Sequence, residues 1–295
     1  VLKEAPKLAG RYPADTFSPR VPMRHALRSI LMTVFLTLAG AAAAGPLEDG
    51  QVAYLRKDYA TALRLIRPLA EQGNDFAQVI LGSMYSDGLG VPKDYAQALN
   101  WVRLAAEQGD AFGQVSLGLL FEHGLPQDYA EAVKWFRLAA NQGDASGQYV
   151  LGNAYVNGHG VLQDYAEAVK WYRLAADQGK APAQYPIGSL YFLGKGVPQD
   201  YAEGAKWIRK AADQGYAYAQ FELGELYGGG QAVPQNYVLA HMWFNLAAAQ
   251  GNQIALEQRD IVAAKMTPEQ IAEAQQLARE WKPNPKDIPP GASQR

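Results

Sequence analysis

The sequence predicts an all-α solenoid built from stacked helix-turn-helix units. An Asp-Tyr-Ala tripeptide recurs at intervals of 36, 34, 36 and 36 residues, and an Asn-Tyr copy follows after another 36. Each period also holds two stretches whose apolar residues recur at helical spacing. Periods of this length are typical of solenoids, whose units bury their apolar faces only by stacking on neighbours. The copies begin at Asp58, Asp94, Asp128, Asp164, Asp200 and Asn236.

Two helical patterns make up each period. The first reads A-Q-x-x-L-G-x-x-Y, as from Ala77 to Tyr85, and its spacing places the Leu and the Tyr on one helical face. The second reads D-Y-A-x-A-x-x-W-x-x-x-A-A and carries one tryptophan at a fixed position. We therefore expect these rings in the core. They are Trp101, Trp135, Trp171, Trp207 and Trp243.

Helix start and stop signals separate the two patterns. Proline precedes most second helices, and the Asp of Asp-Tyr-Ala falls near the positive end of the helix dipole. Each second helix then stops at Gln-Gly, where the glycine is expected to adopt the left-handed conformation that ends a helix. These glycines are Gly73, Gly109, Gly143, Gly179, Gly215 and Gly251.

The glycine of each Leu-Gly pair lies inside the first helix, where it costs about 1 kcal/mol against alanine. Its recurrence predicts that a neighbouring helix approaches too closely for a side chain. The residue four positions after each Asp is also small, as at Ala98 and Gly204, which predicts the same tight crossing from the other side. The pairs contain Gly82, Gly118, Gly152, Gly188 and Gly224.

Composition and charge exclude several classes of function. The chain is 48% apolar with a net charge of -2, and residues 45–295 hold 21 basic against 27 acidic residues, or about -6. A protein that follows nucleic-acid phosphates needs a basic stripe, so nucleic acid is not an expected partner. The absence of cysteine excludes disulfides, thiol catalysis and a lipoprotein anchor on an N-terminal cysteine.

The N-terminal region predicts export. Residues 23–44 combine a basic head at Arg24 and Arg28, an apolar run from Ile30 to Leu38 and a small-residue tail, which is the pattern of a signal peptide. The apolar stretch is too short for a membrane span, so we expect cleavage, no stable membrane anchor afterwards, and a periplasmic or secreted protein. Residues 1–22 are interpreted as an unstructured leader or an overlong gene model.

Together these motifs resemble the SEL-one-like repeat (SLR) family of bacteria, which is related to the tetratricopeptide repeat. The resemblance implies a right-handed α/α superhelical solenoid and a role in protein interaction. Residues 46–73 form a degenerate N-terminal repeat, 252–281 form capping helices that include a T-x-x-Q capping box at Thr267, and 282–295 form a flexible tail. The five SLR units are 74–109, 110–143, 144–179, 180–215 and 216–251.

No catalytic or metal-binding motif is recognisable. The four histidines include no H-E-x-x-H and no pair at ligand spacing, and no G-x-S-x-G, P-loop, S-x-x-K or K-T-G occurs. Some cysteine-rich relatives in the wider family have been linked to β-lactam binding and hydrolysis, but this chain has no cysteine. We expect no cofactor, no metal and no enzymatic activity.

Candidate binding residues lie at the positions of the first helix that the repeat does not dictate. The resemblance implies that the first helix of each unit lines a concave groove. Aromatic and small polar residues there suit an extended peptide or a glycan; alternatively, several of the aromatics pack against the adjacent repeat. The predicted groove residues are Phe76, Val79, Phe112, Val115, Leu119, Tyr149, Asn153, Tyr185, Ser189, Phe192, Tyr218, Phe221 and Glu225.

These observations predict a non-enzymatic exported scaffold that binds a partner protein or an extended peptide through the concave groove. Two alternatives stay open. A protein that binds peptidoglycan or exopolysaccharide would use the same aromatic residues for stacking on sugars. A hydrolase of β-lactams or of the cell wall would need a nucleophile or an acid/base pair that the sequence does not reveal.

Overall fold

The computed structural model describes residues 45–124 and 127–284. The chain divides into two compact units, and the described residues up to Asp164 form one, called here the N-terminal unit. The described residues from Tyr165 onwards form the other, the C-terminal unit. The predicted leader and signal peptide lie outside the described residues, as does most of the predicted tail.

The described residues form fourteen α-helices and no strand, which confirms the predicted all-α class. Helices α1, α3, α5, α7, α9 and α11 are the first helices of their repeats, and α2, α4, α6, α8, α10 and α12 are the second helices. In the N-terminal unit the bounds are α1 Pro46–Leu55, α2 Tyr59–Glu71, α3 Asp75–Asp87, α4 Tyr95–Glu107, α5 Ala111–His123, α6 Tyr129–Asn141 and α7 Ala145–Asn157. In the C-terminal unit they are α8 Tyr165–Asp177, α9 Ala181–Leu193, α10 Tyr201–Asp213, α11 Ala217–Gly229, α12 Tyr237–Ala249, α13 Gln253–Ala263 and α14 Pro268–Glu280.

The repeated motifs begin and end the second helices as predicted. Asp94 caps α4 by accepting a hydrogen bond from the Gln97 backbone N–H at 3.0 Å, and Asp200 caps α10 in the same way. Each cap satisfies a backbone donor that has no partner within the helix. At the other end, Gly109 and Gly215 have φ values of 90° and 91°, the left-handed conformation that stops a helix.

The Leu-Gly glycines lie at the predicted close crossings. A Cβ atom on Gly118 would lie 2.4 Å from Cε1 of Phe136 and 3.0 Å from the Ala132 carbonyl oxygen. A Cβ atom on Gly82 would lie 2.4 Å from Cγ2 of Val102. Real carbon atoms do not approach so closely, so alanine at either position would push the two helices of that repeat apart.

The tryptophans are placed differently from the prediction. Trp243 is buried, but the other four rings are only half buried, and the residue after each tryptophan fills the core instead. Phe136, for example, is 1% exposed and faces Gly118. The reason is helical register: the core residue must lie four positions after the small residue at the crossing, whereas the tryptophan lies three positions after it.

Pairs of glutamines make polar contacts within a repeat, and one member of each pair also reaches the preceding repeat. Gln78 is buried and donates to the Ala70 carbonyl at 3.2 Å, while its own side-chain oxygen accepts from Gln108 Nε2 at 2.9 Å. In the C-terminal unit Gln250 donates to Gln220 at 2.8 Å. These bonds stabilise the fold, because a side-chain amide buried without hydrogen-bond partners would destabilise it. The sequence shows both glutamines in each of the five SLR units, but not that they meet.

The last helix covers the final repeat. Thr267 and Gln270 form the predicted capping box at the start of α14. At the other end of α14, the Trp281 ring packs edge-on against Trp243, with ring centroids 6.2 Å apart. This contact buries an apolar face of the last repeat that would otherwise be exposed to solvent. None of the described helices combines the length and the apolar character needed to cross a bilayer.

Candidate partner-binding surface

Six of the thirteen predicted groove residues are buried, so the prediction that they line an accessible groove is corrected for this conformation. The first helices account for this burial. In the N-terminal unit, α5 packs against α4 and α6 and also lies beside the first helices α3 and α7. Neighbours on these sides leave only a narrow strip of the helix accessible. The buried residues are Val79, Val115, Leu119, Tyr185, Ser189 and Phe192.

In the N-terminal unit, the accessible strip contains an aromatic pair. Phe76 on α3 and Phe112 on α5 are half buried, and their rings stack with centroids 5.4 Å apart and an interplanar angle of 29°. They occupy equivalent positions in successive repeats. Tyr149 and Asn153 on α7 are also half buried. Both phenylalanine rings also pack against the buried core of this unit, so only part of each ring is accessible.

Carboxylates lie near the phenylalanine pair. Asp110 caps α5 through the Gly113 backbone N–H, and Asp144 caps α7 through the Gly147 backbone N–H at 2.6 Å. Burial raises the pKa of Asp110 above its ordinary value, and the charges of Asp75 and Asp144 raise it further. These carboxylates therefore interact with one another along the start of successive first helices.

In the C-terminal unit, three tyrosines and two glutamates form what we call the tyrosine–glutamate site. Tyr185 on α9 is 8% exposed, while Tyr218 on α11 is 50% exposed. The Tyr185 ring lies 5.7 Å from that of Tyr216 and 6.4 Å from that of Tyr218, and the last two rings are 5.6 Å apart. The glutamates of the site are Glu222 and Glu225, both on α11.

The surroundings of Tyr185 favour its neutral form. Burial raises the pKa of Tyr185 far above its ordinary value, and the negative charges of Glu222 and Glu225 raise it further. Tyr185 therefore stays a neutral phenol. Ser189 fixes the α9 side by donating to the Tyr185 carbonyl oxygen at 3.3 Å. Phe221 is half buried and packs against Phe244, with centroids 5.8 Å apart.

Two histidines gather around one glutamate at the other edge of the N-terminal unit. His123 Nε2 and His159 Nδ1 lie 3.6 and 3.7 Å from the two carboxylate oxygens of Glu122. The His159 ring also stacks on Tyr129 at 4.1 Å. Sequence spacing alone did not reveal this cluster, because its members come from different repeats. Across residues 45–124 and 127–284, no group of three or more candidate ligands is arranged to hold a metal ion.

Comparison with protein-family models decides the family. The Sel1 repeat model matches the chain six times, at residues 40–74, 75–110, 111–144, 145–180, 181–216 and 217–252. The protein belongs to the Sel1 repeat family. Sel1 repeat proteins are generally protein-interaction scaffolds, and the family is typically non-enzymatic.

Several solved structures are similar to this chain. A Sel1 repeat protein from Oxalobacter formigenes is 31% identical, with a TM-score of 0.68 over 80% of this chain and 100% of that chain. The protective antigen c5321 of uropathogenic Escherichia coli, which displays an SLR fold, is 30% identical, with a TM-score of 0.46 over 83% of this chain and 62% of that chain. The immunity protein Pa5087 of Pseudomonas aeruginosa is 20% identical, with a TM-score of 0.51 over 76% of this chain and 81% of that chain. No curated protein matches the sequence significantly.

Proposed function

We propose that this Sel1 repeat protein is an exported, non-enzymatic scaffold that binds a partner protein or an extended peptide through the accessible face of its first helices. The observation that carries the proposal is the partial exposure of aromatic residues at one position of the repeat: Tyr218 is 50% exposed, and Phe76 and Phe112 are half buried. Phe76, Phe112 and Tyr218 share that position, whereas Ser146 and Pro182 occupy it in other repeats. Packing of the repeat therefore does not require an aromatic side chain there.

Exposed aromatic side chains supply a large contact area at a low cost in conformational entropy, and they dominate many protein interfaces. Each unit presents its own set, the phenylalanine pair in one and the tyrosine–glutamate site in the other. Residues 23–44 have the composition of a signal peptide, so the proposed partner is a component of the bacterial envelope or of the medium.

Affinity capture from envelope extracts tests the proposal. The tagged protein is compared with Phe112→Ala, with Tyr218→Ala and with Leu104→Ala, a matched control whose side chain is 46% exposed on a second helix. We expect a stoichiometric partner that the control retains and that at least one aromatic variant loses. Mass spectrometry of the captured material, with circular dichroism of each variant, gives the result.

Other outcomes would count against the proposal. A partner retained equally by all three variants would place the interface elsewhere. Sedimentation of the protein with purified peptidoglycan, abolished by Tyr218→Ala and without any captured protein, would favour the glycan alternative. Turnover of a chromogenic β-lactam by the pure protein, lost on a point mutation, would support the hydrolase alternative.

A further inference from the structure

We propose that residues 285–295, called here the C-terminal segment, dock on the three tyrosines of the tyrosine–glutamate site. Such docking goes beyond the proposed function, because a segment of the protein itself then occupies its own exposed aromatic surface. Three observations support it: the place where the described residues end, the exposure of the tyrosines and the composition of the segment.

The described residues end beside the tyrosines. The Asn284 backbone N–H donates to the Asp213 carbonyl at 2.9 Å, at the C-terminal end of α10. Trp281 lies close to the same turn, since a Cβ atom on Gly215 would be 3.5 Å from Trp281 Cη2. Tyr216 directly follows Gly215 and is the N-cap residue of α11. Residue 284 is therefore held at the turn that carries the first tyrosine of the site.

The C-terminal segment is long enough to cover the site from this point. Tyr218 lies five residues beyond Asp213, so their Cα atoms are at most about 18 Å apart. A chain in the polyproline II conformation advances about 3.1 Å per residue, so roughly six residues span that distance. Residues 285–290 are therefore sufficient to reach Tyr218.

The tyrosines offer an accessible aromatic surface. Tyr218 is 50% exposed, and its ring lies 5.6 Å from that of Tyr216 and 6.4 Å from that of Tyr185. Tyr216 is half buried, so Tyr218 is the most accessible of the three. Surfaces lined by aromatic side chains bind proline-rich segments in several families of peptide-recognition domain.

The composition of the C-terminal segment suits this surface. It contains Pro285, Pro289 and Pro290, and the apolar Ile288 directly precedes the last two. Proline fixes its own φ and restricts the preceding residue to extended conformations, so this sequence favours polyproline II and loses little conformational entropy on binding. The tether to residue 284 also gives the segment an effective concentration on the order of 1 mM at the site. Contacts too weak to hold a separate peptide are therefore sufficient.

Docking covers Tyr218, which the proposed function assigns to the partner. The C-terminal segment then competes with the partner, and a partner that binds through Tyr218 must displace it. This consequence rests on the proposed function, whereas docking itself does not.

Electron paramagnetic resonance of a spin label in the segment provides the test. The chain contains no cysteine, so Ala292→Cys gives a single attachment point for a nitroxide in the full protein. We expect a slow component in the spectrum, because docking restricts the label. Tyr218→Leu and the double variant Pro289→Gly, Pro290→Gly should each lose most of it. Leu174→Ala is the matched control and should keep it, because Leu174 is 48% exposed on the second helix α8 of the same unit.

Three results overturn the inference, and all are distinct from failure of the proposed function. A spectrum of the labelled protein without a slow component would show that the segment does not dock. A slow component that survives Tyr218→Leu would place the docking site elsewhere, and equal loss in Leu174→Ala would show that the tyrosines are not specifically recognised. In each case, a captured partner that depends on Phe112 or Tyr218 would leave the proposed function standing. Unchanged melting temperatures of the variants exclude misfolding as the cause.

Discussion

At the scale of single residues, glycine allows the two helices of a repeat to pack closely against each other. Gly224 on α11 faces the ring of Phe244 on α12, and a Cβ atom there would lie 2.7 Å from two ring carbons. Gly228 lies one turn further along the same helix, where a Cβ atom would be 3.7 Å from its nearest neighbour. The two positions share a helix but differ in the space available.

This difference predicts opposite effects of the same substitution. Gly224→Ala should destabilise the fold by about 1–3 kcal/mol, because the new Cβ atom would overlap the ring of Phe244, which is buried and packs against Phe221. Gly228→Ala should leave stability unchanged or raise it by up to about 1 kcal/mol, because alanine favours the helix. Urea denaturation followed by circular dichroism measures both. Equal effects of the two substitutions would contradict the close-crossing explanation.

At the scale of helices, α14 acts as the cap of the array. Repeat proteins need a terminal element that covers the apolar face of the last unit. Trp281 supplies this contact by packing on Trp243, which is 3% exposed. The Asn284 backbone N–H then donates to the Asp213 carbonyl at 2.9 Å, which ties the end of α14 to α10.

Weakening this cap should destabilise the C-terminal unit. Trp281→Ala is expected to cost about 2 kcal/mol, less than for a fully buried tryptophan, since the ring is only half buried. Ending the chain after Met266 should have a larger effect and should shift the fluorescence of Trp243 towards longer wavelength. Gln276→Ala, on the exposed face of α14, is the control and should change little. An unaltered melting temperature for Trp281→Ala would refute the capping role.

At the scale of the whole molecule, location decides which partners the scaffold can meet. The proposed signal peptide predicts that mature protein begins near Gly45, after loss of about 44 residues, and fractionates outside the cytoplasm. Leu36→Arg should block this step, because it places a charge within the apolar run. N-terminal sequencing of protein from cell fractions measures both. Recovery of the protein in the cytosol with Val1 or Met23 intact would contradict export and would indicate a cytoplasmic adaptor.

The sequence by itself determined the fold class, the family and the local rules of each repeat. The roles of Asp94 as a helix cap and of Gly109 as a helix stop could be predicted, because both depend only on residues a few positions apart in the chain. The close crossing at Gly118 could be predicted, because glycine is unfavourable inside a helix and its recurrence there needs a structural reason. These features are local, and each of them recurs from repeat to repeat, so the single sequence shows every pattern several times.

Only the tertiary structure decided which side chains remain accessible. Val79 and Tyr185 occupy predicted groove positions but are buried, whereas Tyr218 is half exposed. The tertiary structure also placed Phe136, and not Trp135, against Gly118, and brought Gln78 together with Gln108. The physical reason is the same in each case: exposure and pairing depend on other helices that are distant in the chain, as for Gln78 and Gln108, which are 30 residues apart. Helical periodicity shows which residues share a face, but packing decides how much of that face a neighbour covers.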